Sequence, residues 1–198
     1  MEIRTDRTIF RLDKNDPDSV WDLRTSWKET EKDLFFLEFS LDAAEDLPPP
    51  ELTLSWDLPL LDTVNCWTTC HGGGSELQPD WGRKHHFSIA DEIPELVFHN
   101  REGICTVAAA YSDAMRVTEF SGGIHESDCS LRFTLKVFTR KEMPLRHYRG
   151  ILRLDLRRMF FADTVRAISA WFATLPGYGN TPVPESAFDP LYSTWYSY

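Results

Sequence analysis

The sequence predicts an all-β fold: a large antiparallel β-sandwich followed by one C-terminal helix. Three observations carry this. Apolar and polar residues alternate through several short runs, the period of a half-buried strand. Aromatics make up 13% of the chain, with 7 Trp and 13 Phe, and strands accept such residues readily. Turn signals separate the runs at "LPPPE", "HGGGS", "HNREG" and "SGG". Strands here follow strands rather than alternate with helices, which argues for a sandwich over a parallel sheet.

The first fifty residues read as generic strands. Phe35, Leu37, Phe39 and Leu41 then alternate with Phe36, Glu38 and Ser40. Leu52, Leu54, Trp56 and Leu58 alternate with Thr53, Ser55 and Asp57. "ICTVAAAY", Ile104 to Tyr111, is apolar on both faces, as a central strand is. Cys129, Leu131, Phe133, Leu135 and Val137 alternate with Ser130, Arg132, Thr134 and Lys136. In "RHYRGILRLDLRR", His147, Arg149, Arg153, Asp155 and Arg157 share one face, and Tyr148, Leu152, Leu154 and Leu156 the other. That predicts a half-buried strand with a basic, solvated face.

The texture then changes. Phe161, Val165, Ile168, Phe172 and Leu175 recur at helical spacing. Asp163 is the expected N-cap, and Pro176 with Gly177 is the expected stop. A Pro- and Gly-rich linker leads to "LYSTWYSY", an aromatic strand whose ladder groups need partners. The predicted organisation is a sandwich over 1–158, a helix over 159–176, a linker over 177–190 and an orphan strand over 191–198.

The totals bound the function. A chain of 198 residues, 42% hydrophobic and 26% charged, is long enough for one packed domain and too apolar for disorder. A net charge of -10 disfavours nucleic acid and anionic membrane surfaces as partners. No stretch approaches the ~20 apolar residues of a membrane span. The opening "MEIRTDRTIF" lacks the basic start and apolar run of a signal peptide. With Cys66, Cys70, Cys105 and Cys129 read as core thiols, a reducing cytoplasm is the expected compartment.

"CWTTCHGGGSELQPDW", Cys66 to Trp81, concentrates the candidate chemistry. His71 and its three glycines look like an oxyanion loop, but the chain contains no G-x-S-x-G elbow to supply a nucleophile. Cys66, Cys70 and His71 form one metal knuckle without the second that a structural zinc site needs. No metal and no cofactor are therefore expected. Asp57, Asp62, Asp113, Glu126 and Asp128 are numerous enough for paired-carboxylate glycoside chemistry, yet nothing brings two of them to facing positions and most read as solvated turn residues. Trp67 and Trp81 bracket the stretch. Each either stacks on a sugar ring or folds back to plug the sandwich end.

The ordered set "PLLDTVNCWTTC", "LQPDWG", "NREGICTVAAAYSD", "GGIHESD" and "VPESAFDPLYSTWYSY" resembles the N-terminal part of bacterial α-galactosidases of glycoside hydrolase family 36 and close relatives. The resemblance runs from about Leu52 onward. It implies a galactose-mutarotase-like β-supersandwich ahead of a (β/α)8 barrel, with "STWYSY" as the first barrel strand. Such a barrel takes about 250 residues, and the family's nucleophile and acid/base aspartates lie later in it. No residue here inherits those roles, so the chain alone is expected to be non-catalytic. By the same resemblance Trp195 and Tyr196 line the galactose subsite, and Trp67 reaches it from the sandwich. Where the family's loop carries a further Trp, this chain has Thr68, Thr69 and Cys70. Trp81 is expected to anchor the loop's end. The implied partner is a terminal α-galactoside held together with the barrel, and homo-oligomer contacts are compatible with it. A free-standing carbohydrate-binding module and a structural or oligomerisation domain are the alternatives.

Overall fold

Alternation becomes pairing in the computed structural model. It describes every residue except 61, 70–75, 83, 89–91, 179–183 and 190–198, and the side chains of 187 and 188. Twelve strands form among the described residues: β1 (Glu2–Arg4), β2 (Ile9–Lys14), β3 (Asp22–Glu31), β4 (Leu34–Leu47), β5 (Leu52–Pro59), β6 (Asn65–Trp67), β7 (His85–Phe87), β8 (Glu95–His99), β9 (Cys105–Tyr111), β10 (Thr118–His125), β11 (Ser130–Val137) and β12 (Leu145–Asp155). They make two six-stranded sheets, in the orders β1-β2-β5-β11-β10-β7 and β3-β4-β12-β9-β8-β6. All strand pairings within them are antiparallel. The expected all-β sandwich is what forms. The final predicted strand, 191–198, lies outside the described residues.

The inner faces interdigitate through aromatics. Trp56, wholly buried, stacks on Phe133 at 5.0 Å and packs against Phe10 and Phe120. Phe98 of the second sheet meets Phe133 of the first edge-on at 5.1 Å, joining the layers. Phe39 stacks on Tyr111 at 5.9 Å. Gly150 sits where a Cβ would collide with the Tyr111 hydroxyl and the Phe39 ring, so only glycine lets this stack close. The predicted central strand is β9, covered on both faces between β12 and β8.

Several expectations are corrected. "SGG" is not a turn: Ser121–Gly123 lies inside β10. A Cβ at Gly122 would strike Phe133 and Phe98, and one at Gly123 would strike the passing backbone of Gln78 and Pro79, so these glycines serve close approach. Asp163 is not the N-cap. α1 (Phe161–Ala173) is capped by the extended Phe160, and Asp163 sits in the first turn, paired to Arg166 at 2.9 Å. Gly177, at φ +89, follows the helix end as expected. Thr164, Ile168 and Phe172 are the most buried helical residues. Cys129 is exposed, at φ 56 in the β10–β11 turn, and Cys66 is only half-buried, so of the described thiols Cys105 alone is fully in the core.

The largest correction concerns β12. Its basic face is solvated at His147 and Arg149, but Arg153 and Asp155 are buried. α1 covers this half of the sheet. Ile168 and Phe172 pack on Val97, Ala108 and Ala110, whose small side chains let the helix settle close. The helix start is docked by Phe161 N–H to Gly103 O, 2.9 Å, and by Cys105 N–H to Met159 O, 2.8 Å. A second core thus forms outside the sandwich, and the charges beneath it must pair.

Candidate functional site

Outward positions of the first sheet carry a row of charge. Arg132 and Asp57 are direct cross-strand partners on β11 and β5. The Arg132 guanidinium donates to both Asp57 oxygens, at 2.7 and 3.2 Å, and Arg11 on β2 donates to the same carboxylate at 3.3 Å. The Asp57 contact raises the already high Arg132 pKa. On its other side Arg132 approaches the His125 ring at 2.9 Å, and His125 Nδ1 meets Asp80 Oδ2 at 2.8 Å. Donors and acceptors therefore alternate across four strands and end on Asp80. Asp57 lies within β5, as its place in the alternating run predicts.

The segment carrying Asp80 is held against β10. Ile124 N–H donates to Gln78 O at 2.9 Å, and Asp80 N–H donates to Ile124 O at 2.8 Å. Trp81 follows immediately and is 71% exposed. The loop end is thus anchored by Pro79, Asp80 and His125, while the Trp81 ring faces water; the expected anchoring by Trp81 is corrected. Trp67, at the other end of the stretch, lies on edge strand β6 opposite Val97. Its ring is half-buried and meets Phe161 edge-on at 5.2 Å, within the core under α1. Burial pushes the neighbouring Cys66 thiol up to about 12. Cys70, His71, the glycines after them, Trp195 and Tyr196 lie outside the described residues. Among the described residues, no group of three or more His, Cys, Asp or Glu is placed to hold a metal ion.

The remaining candidate carboxylates are scattered. Asp62 accepts from Asn100 and Arg158, each at 2.9 Å, and these bonds lower its pKa, Asn100 first. Asp128 is held low mainly by Ser130. Glu126 is exposed in the same turn.

Asp113 is not a solvated turn residue. It accepts from the Tyr148 hydroxyl and from Arg116 Nη1, both at 3.1 Å, and from the Met115 amide at 2.9 Å. Tyr148 in turn shares a hydrogen bond with Tyr111, and burial raises both phenols well above their usual range. Sequence reasoning missed this network. Its only trace is the Tyr-Ser-Asp at a strand end, a pattern many turns share.

A second missed feature is a groove of about 610 Å³ between α1 and the outer face of β3, β4 and β12. Phe36 and Trp171 approach at 6.1 Å on its wall, and Glu38 and Arg149 pair at 2.6 Å beside them. Phe36 reads as the polar-side residue of its strand. Its exposure to the groove follows from where the helix sits.

No family model matches the chain, and no curated protein matches it. Among solved structures it is similar to a protein from Escherichia coli K12 described provisionally as an aldose 1-epimerase. The identity is 11%, over 79% of this chain and 67% of that one, with a TM-score of 0.43. Among the described residues, no helix is long and apolar enough to cross a membrane.

Proposed function

We propose that this chain is a carbohydrate-associated β-sandwich that works beside a glycoside hydrolase barrel of the α-galactosidase kind, whose motif order it resembles. In this reading it supplies a rim aromatic and no catalytic carboxylate. Trp195 and Tyr196 keep the subsite roles that the resemblance implies. Trp81 carries the sandwich's contact, because the Trp67 ring is already engaged by Phe161.

The observation that carries the reading is the exposure of Trp81, 71%, on a segment pinned by backbone hydrogen bonds and by the His125–Asp80 contact. An indole held out by a rigid base offers its face to the C–H side of a sugar ring with little ordering to be done on binding. Asp80, the residue before it, and His125, which Asp80 contacts, carry donors and acceptors for hydroxyls.

The test is twofold. Nitrophenyl-α-galactoside is offered to the chain at high protein concentration, and galactose is titrated against tryptophan emission in the parent and in Trp81→Ala. The expected result is no turnover above blank and a saturable emission change that Trp81→Ala abolishes. Turnover lost in Asp57→Asn or Asp113→Asn overturns the non-catalytic reading. An emission response unchanged in Trp81→Ala overturns the assignment of the rim.

The groove at Phe36 and Trp171 favours a second reading, a free-standing binding module. Its ion pair beside two aromatic rings offers both hydroxyl contacts and an apolar face. If the galactose response is lost in Trp171→Ala and kept in Trp81→Ala, that reading replaces the first.

A further inference from the structure

One end of the sandwich is open where turns of both sheets converge. The β1–β2 turn brings Arg7, the β3–β4 turn brings Asp33, and the chain leaving β12 brings Leu156, Arg157 and Arg158. The cavity they enclose measures about 500 Å³, within the ~300–1,000 Å³ of small-molecule sites. We propose that this cavity is a binding site for a small, neutral, hydroxyl-rich ligand of monosaccharide size.

The chemistry of the walls selects the class. Leu58, Pro59, Val107 and Leu156 give an apolar floor. Around it every guanidinium already has a carboxylate. Arg7 pairs with Asp33, Arg157 with Asp155 at 2.7 Å and with Glu31, and Arg158 with Asp62 at 2.9 Å. An anion has to compete with a carboxylate for each of these cations, and it approaches a chain of net charge -10. A cation meets the converse competition at Asp33, which Arg7 already holds, and the other carboxylate of the lining, Asp6, is exposed to water. A neutral polyol displaces nothing. Carboxylates keep lone pairs free to accept, and guanidinium groups keep N–H bonds free to donate. A ring with adjacent hydroxyls uses both at once.

Thr63 and Thr106 add hydroxyls on the same wall, bonded to each other at 2.7 Å. The frame is also rigid. Asp33 O accepts the Leu156 amide at 2.8 Å, while the Asp33 side chain holds Arg7 of the opposite sheet. The site therefore bridges the layers and needs no closing motion. The choice of a sugar among neutral polyols rests on the carbohydrate reading above. The sequence showed none of this, because the contributing residues are spread from Arg7 to Arg158.

The test follows the methyl signals of Leu58, Thr106, Val107 and Leu156 in the whole chain. D-galactose and D-glucose are the neutral probes and sodium sulfate the anionic one. The indole N–H signal of Trp81 is read in parallel. Two variants serve: Asp33→Asn, which the left-handed φ of 66 at that position accommodates, and Arg158→Gln, whose side chain is 53% exposed and leaves the fold in place.

The expected result is a saturable methyl shift with at least one sugar, weakened about fivefold or more in each variant as a charge-assisted contact is lost. No saturable shift up to about 100 mM sugar, beyond any useful affinity, overturns the proposal. So does a stronger response to sulfate than to sugar, or an undiminished sugar response in both variants. If Trp81 alone responds, the cavity proposal falls and the rim reading stands. If the methyls alone respond, the cavity stands and the rim reading falls.

Discussion

Arg153 Nη2 donates to Asp155 Oδ2 at 2.7 Å, between two side chains on one strand that are 3% and 1% exposed. Asp155 also takes two bonds from the Arg157 guanidinium, at 2.9 and 2.7 Å, and one from the Arg157 amide at 3.1 Å, so one buried carboxylate serves two guanidinium groups. Removing it leaves Arg153 charged and without this partner in a low-dielectric layer. Asp155→Asn is expected to cost about 3–5 kcal/mol in urea unfolding. Arg153→Met keeps the Asp155–Arg157 pair and adds apolar volume under α1, so it is expected to cost clearly less. Equal losses in the two variants contradict this account.

Glu95 lies in the same layer and shares Ala110 as a register partner with Arg153 across the sheet. Burial raises its carboxyl from an ordinary 4.5 to about 7, with Arg153 pulling the other way. A raised carboxyl means that the folded state holds its proton more tightly than the unfolded state. The contribution is therefore fully present below pH 4.5, declines as pH rises towards 7, and is flat above that. The expected decline is roughly 3 kcal/mol. Glu95→Gln cannot titrate, so the difference between parent and variant across this pH range isolates the effect. A difference that grows in the opposite direction refutes the assignment.

The contact of Gly150 with Tyr111 gives a third expectation. Gly150→Ala pushes a methyl into the phenol and the Phe39 ring, and is expected to destabilise by about 1–3 kcal/mol. Tyr111→Phe removes one buried hydrogen bond to Tyr148, worth about 1 kcal/mol. It also vacates the space the new methyl needs. The double variant is expected to be more stable than the sum of the two losses, and additive losses rule out the steric explanation.

What the sequence made legible divides along physical lines. β4, β5 and β11 each bury one face and expose the other, so period two marks them plainly. β9 is covered twice and reads as a continuous apolar run. β10 was hidden because its glycines, which let Phe133, Phe98 and the Pro79 backbone come close, look locally like a turn. The charged half of β12 was misread because alternation reports only that two faces differ. It does not report what lies above them, and here α1 closes over Arg153 and Asp155. The rim was legible as a stretch bounded by two tryptophans. Which tryptophan is buried was not, because Phe161, almost a hundred residues away, decides it.

That division yields the last prediction. Trp67 packs against Phe161 beneath the helix, and Trp81 packs against nothing comparable among the described residues. Trp67→Ala removes a half-buried aromatic and opens a void at the helix–sheet contact. It is expected to destabilise by about 2–3 kcal/mol, less than the full core penalty because the ring is not wholly enclosed. Trp81→Ala removes an exposed ring from an anchored segment and is expected to stay within ~0.5 kcal/mol. The same contrast should appear in quenching, since acrylamide reaches Trp81 in the folded chain and reaches Trp67 mainly after unfolding. Equal stability losses, or a Trp81 that resists quencher, would place the rim aromatic in the core and leave the proposed sugar contact without a residue to carry it.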